Sequence, residues 1–126
     1  MIEQIRRAFA SELVTPYLTP EFIEQHPNLM EIRGAAPDVM STVPAYMLWC
    51  AAHPGDTSLI TDWTVNALAE FGRSKDPQSA WLNFRFRCTQ EQRQVVVCFL
   101  EWSLNETPFL NEKQIERARR NWQHAS

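Results

Sequence analysis

The chain has 126 residues, 44% of them apolar, with a formal net charge of −3 and a pI near 5.6. That length supplies one domain with a sizeable core, residues 1–126, and the mildly acidic balance excludes attachment to nucleic acid through bulk charge. Only three glycines occur, Gly34, Gly55 and Gly72, which excludes a glycine-rich phosphate loop or dinucleotide fingerprint and argues against a hairpin-rich β fold.

Residues 2–14 place Ile2, Ile5, Phe9 and Leu13 on one helical stripe, and Pro16 ends the segment. Thr19-Pro20-Glu21 is a helix start: a hydroxyl cap, proline at the first helical position, then a carboxylate at the positive helix end. The short helix it opens carries Phe22 and Ile23 and stops before Pro27. Residues 27–43, punctuated by Gly34 and Pro37, predict only one or two helical turns. Residues 44–52 are apolar on every side, which predicts a central buried helix closed by the turn His53-Pro54-Gly55-Asp56. Over residues 58–71, Ile60, Trp63, Ala67 and Phe71 form an apolar stripe, with Asp62, Asn66 and Glu70 on another face. Gly72 is expected just beyond that helix, where a positive φ costs glycine nothing.

A polar loop, residues 73–80, follows. Leu82, Phe84, Phe86 and Cys88 then alternate with Asn83, Arg85 and Arg87, a period of two that predicts a short extended segment near 81–88. Thr89-Gln90-Glu91-Gln92 is a capping box opening a helix to about residue 104, and Asn111 to Gln114 is a second one, opening a helix with Ile115, Ala118 and Trp122. The sum is an all-α fold, a compact orthogonal bundle of five or six helices with one short extended segment.

Residues 18–104 resemble an uncharacterised bacterial domain-of-unknown-function family of small helical proteins. The pieces that carry the resemblance are Leu18-Thr19-Pro20-Glu21, then Val43-Pro44-Ala45-Tyr46-Met47-Leu48, then Phe86 with Thr89, Gln92, Phe99 and Leu100. The resemblance implies a helical fold and no particular chemistry.

Cys50, Cys88 and Cys98 are odd in number and fit no disulfide framework, as suits a reducing compartment. Cys50 and Cys98 sit among apolar residues and are expected in the core; Cys88, just ahead of a helix start, is the more exposed thiol. The first seven residues lack the apolar core of a secretory leader, and the longest apolar run, residues 95–100, falls far short of the roughly 18 residues that span a bilayer. A cytoplasmic protein without membrane association is expected.

Reactive constellations are sparse. Cys50 and His53 form a C-x-x-H pair, but no second pair completes a zinc site, so neither metal nor cofactor is expected. No serine lies in a G-x-S-x-G elbow. Charge is more informative. Residues 1–72 hold three arginines against nine acids, a formal −6, whereas residues 73–126 hold nine basic residues against six acids, a formal +3. Three functional classes follow. The first is a non-enzymatic protein-binding module, in its sharpest form a toxin-neutralising immunity protein. Its acidic half, through Asp38, Asp56, Asp62 and Glu70, would cover the basic cleft of a cognate toxin, with Trp122, expected to be exposed, as an apolar contact. The second is a nucleic-acid-associated protein using Arg73, Arg85, Arg87 and Arg93 beside Trp81, Phe84 and Phe86, although rings of one parity are expected to face the core. The third is an enzyme with a site near Cys50, His53 and Asp56.

Overall fold

A computed structural model describes residues 1–14, 16, 18–31, 38–55, 59–106 and 111–123. The architecture is all-α, as the hydrophobic periods predict, and the described residues contain no strand. Among them, no helix is long and apolar enough to cross a membrane.

Helix α1 (Ile2–Ala8) buries Ile5, and the turns that follow it bury Phe9. Regular helix stops six residues short of the predicted end, although Leu13 N–H still donates to the Phe9 carbonyl. Helix α2 (Pro20–Gln25) opens as predicted, with Thr19 Oγ1 accepting from Phe22 N–H at 3.2 Å. A 3-10 turn (Leu29–Glu31) follows.

The central helix α3 (Val39–Ala52) begins five residues before the predicted start, because Asp38 caps it: its Oδ1 accepts from Met40 N–H at 3.1 Å. Eleven of its 14 residues are buried, in keeping with its all-round apolar sequence. It packs on α1 and on α4 (Ile60–Arg73). Gly72 lies within α4 rather than beyond its end, and its φ is not positive.

The 81–88 segment is a turn followed by a single helical turn, α5 (Phe84–Arg87), not an extended piece. Residues two apart on a helix point about 200° apart. Phe84 therefore enters the core while Phe86 remains exposed. Helix α6 (Gln90–Glu106) opens with the predicted reciprocal box: Gln92 N–H donates to Thr89 Oγ1 at 3.1 Å, and Thr89 N–H to Gln92 Oε1 at 2.9 Å. The buried Gln92 amide also reaches the Ala8 carbonyl at 3.0 Å and Glu12 Oε1 at 3.2 Å, fastening the start of α6 to the end of α1. Helix α7 (Glu112–Gln123) packs on α4 and α6 and is capped by Asn111 Oδ1, which accepts from Gln114 N–H.

Phe84 is the hub of an aromatic core. Its ring lies 6.2 Å from Phe9, 5.5 Å from Phe71 and 5.8 Å from Trp122, the last edge-on. Four elements thus meet at one side chain, and ring pairs at such distances add to the burial of their area.

A second structural device occurs twice. At the end of α2, the His26 ring stacks on Phe22 (4.2 Å between centroids) and its Nδ1 lies 2.9 Å from the Phe22 carbonyl. At the end of α3, His53 repeats this on Trp49, at 4.1 Å and 2.8 Å. Both histidines have nearly the same backbone angles, φ −132°, ψ 62° and φ −130°, ψ 59°, and a proline follows each. An aromatic residue, three spacers, His and Pro form a helix stop: the ring covers the last turn, its nitrogen satisfies an orphan carbonyl, and proline prevents continuation. Tyr46 Oη donates to the His26 carbonyl at 2.5 Å and Trp49 Nε1 to Glu24 at 3.1 Å, so α3 clasps α2 through the same two histidine-capped ends. Burial pushes the Tyr46 phenol up to about 12.

Candidate functional site

The residues suggested by charge are largely engaged in holding the fold. Asp38 caps α3 and pairs with Arg87 at 3.0 Å. Asp56 lies outside the described residues. On α4, Asp62 is half-buried, Asn66 accepts from Gln114 Nε2 at 2.7 Å, and Glu70 pairs with Arg73. The 62–66–70 row is therefore partly a bridge to α7 and not a free acidic face.

Trp122, expected at the surface, is 1% exposed. Its indole Nε1 donates to the Leu68 carbonyl at 2.8 Å, and its ring meets Phe84. The flanking Arg119 and Arg120 suggest an exposed stretch, but Ile115, Ala118 and Trp122, at offsets of three and four, share the one apolar face of α7.

The cysteines also exchange places. Cys88 is 5% exposed, whereas Cys98 is exposed on α6. The buried stripe of α6 is Val96, Phe99, Leu100 and Ser103, and Cys98 falls off it despite apolar neighbours in sequence. Cys98 opens onto a hollow of 510 Å³ between α6 and α7, beside Gln94, Val97 and Glu101. Burial pushes the Cys88 thiol up to about 12, against the pull of Arg93. In the folded protein one thiol per chain, Cys98, should react rapidly with an aromatic disulfide reagent, and all three should react in denaturant. A Cys98→Ser variant should lose the fast phase; if it kept that phase, the burial assigned to Cys50 and Cys88 would be wrong.

Cys50 is fully buried, while His53 is exposed on its Trp49 platform. Among the described residues, no three His, Cys, Asp or Glu side chains gather as a metal ion would require.

The arginines of the second half surround a different surface. Arg85 donates to the Ser74 carbonyl at 2.7 Å and lays its guanidinium 4.3 Å from the centroid of the Phe86 ring. Burial, reinforced by Arg93, lowers its pKa. Arg93 donates to the Cys88 carbonyl at 2.7 Å. Between and beside these anchors, Trp81 is 49% exposed and Phe86 39%. They are the only large aromatic side chains so exposed among the described residues. The period-two pattern conceals this, because it assigns Phe84 and Phe86 to one face. The Asp76 side chain marks the turn that sets up the actual geometry, accepting from Gln78 N–H at 3.0 Å.

No family model matches the chain, and neither a curated protein nor a solved structure matches it.

Proposed function

We propose that this chain is a non-enzymatic protein-binding module, in its most concrete form a toxin-neutralising immunity protein that occludes a basic cleft of its cognate toxin. One observation carries the reading: Phe86 stays exposed on α5, which Arg85 fastens to Ser74 and Arg87 to Asp38, and Trp81 stays exposed in the turn just before it. Aromatic and arginine side chains on a fixed frame are what interface hot spots are made of, since little conformational entropy is lost when they dock. Asp38 offsets the charge of Arg87, which lowers the positive charge facing a basic partner. The formal −6 of the first 72 residues then steers that partner.

The test co-expresses this protein with each candidate toxin found among the neighbouring genes, and the absence of any such gene would count against the reading. Co-expression with this protein should rescue growth and yield a complex that copurifies. A Trp81→Ala/Phe86→Ala variant should bind at least ~30-fold more weakly, while its stability stays within about 0.5 kcal/mol of wild type. Undiminished binding by that variant would remove the assigned anchors, and failure of the wild-type protein to rescue or copurify would remove the function.

The same exposed rings beside Arg85 and Arg87 give a second reading, attachment to single-stranded nucleic acid through stacking and charge, with Arg73 and Arg93 adding cations. It is the weaker reading, because Glu70 and Asp38 pair with Arg73 and Arg87. A mobility shift with single-stranded DNA or RNA at ~50 mM salt would support it, and no shift there would remove it.

A further inference from the structure

The end of α4 and one face of α7 enclose a hollow of 280 Å³. Arg73 reaches it from α4. Lys113, Arg117 and Asn121 reach it from α7, where their spacing of four places them in one row. The surrounding side chains are held in place. Asn111 caps α7 through Gln114 N–H, and the Gln114 amide is tied to Asn66 across the two helices. Ala118 keeps the wall of the hollow low.

Three cations thus share one concavity. Glu70 pairs with Arg73 and offsets its charge, so Lys113 and Arg117 are the cations that carry the site. Among the described residues, Lys113 and Arg117 have no ion-pair partner, and the Glu116 carboxylate of α7 is taken by Arg119. Like charges gathered around a concavity repel one another and raise the local concentration of anions. Arginine forks bind phosphate oxygens bidentately, and a lysine ammonium adds a point charge beside them. The volume lies just below the roughly 300 Å³ at which small-molecule pockets begin, so the hollow fits a compact ligand and not a long chain.

We propose that this cleft binds a compact, multiply charged phosphate group, either inorganic or carried on a small phosphorylated molecule. None of its residues belongs to the Trp81–Phe86 segment, so it is independent of the protein-docking reading.

The test is a titration of the full chain with pyrophosphate, and separately with a phosphorylated hexose, at constant ionic strength, followed by amide NMR. Saturable shifts concentrated at Lys113, Gln114 and Arg117 are expected; pyrophosphate alone acting would identify the inorganic source, and the hexose phosphate acting as well would admit the organic one. Lys113→Gln and Arg117→Gln should each weaken binding by about 10-fold with unchanged thermal unfolding. Arg120→Gln removes the same charge from an exposed α7 position that does not line the hollow, and it should leave binding nearly unchanged. The proposal fails if neither ligand shifts these amides at millimolar concentration. It fails equally if Arg120→Gln weakens binding as much as Arg117→Gln, since the attraction would then be diffuse.

Discussion

Replacing Trp122 with alanine should destabilise the fold by about 3–5 kcal/mol, the usual cost of deleting a large buried aromatic side chain. For a chain of this length that corresponds to a fall of roughly 10–20 °C in the unfolding midpoint. The indole is 1% exposed, touches Phe84 edge-on, and donates to the Leu68 carbonyl. Removing it opens a cavity at the junction of α4, α5 and α7 and deprives that carbonyl of a donor. Trp122→Phe keeps most of the volume and loses the hydrogen bond, so it should cost distinctly less. Denaturant unfolding of both variants, with an unchanged slope, provides the measurement. The result separates two opposite views of this residue. A surface contact residue would change stability by no more than about 0.5 kcal/mol on truncation, so an alanine variant that neutral would expel Trp122 from the core.

Trp122 also shows why some of this fold is legible in the sequence and some is not. Caps are local, and three of them stand where the spacing puts them: Thr19, the Thr89–Gln92 box and Asn111. The cap at Asp38 obeys the same chemistry, but the punctuation around Gly34 and Pro37 obscures it, and α3 is consequently longer than its apolar run suggests. The paired stops at His26 and His53 are also written locally, as an aromatic residue four positions before a His-Pro. Which face of a short element turns inward is not local. Cys88, Cys98, Phe86 and Trp122 are assigned by what packs against them from distant parts of the chain. The interaction surface inherits that difficulty. Arg85 and Arg87 are visible as charges, but only the fold shows that Ser74 and Asp38 hold them while Trp81 and Phe86 are left outside.

Gly72 makes the same packing testable through a change of sign. It sits inside α4, where alanine would ordinarily stabilise a helix by about 1 kcal/mol over glycine. A Cβ at this position would lie 2.8 Å from Trp122 Cδ1 and 2.9 Å from Nε1. Those atoms cannot swing aside cheaply, because the indole is fixed by the Leu68 carbonyl on one side and Phe84 on the other. Overpacking of this kind costs about 1–3 kcal/mol, so Gly72→Ala should be destabilising despite its helix propensity. In a Trp122→Phe background the indole nitrogen and its ring are gone, and the added methyl meets a smaller neighbour. There Gly72→Ala should become neutral or stabilising, with a coupling energy of about 1–3 kcal/mol across the double-mutant cycle. Additive effects at the two positions would mean that α4 and α7 do not approach through this glycine. A stabilising Gly72→Ala in the wild-type background would mean that the position answers to helix propensity alone.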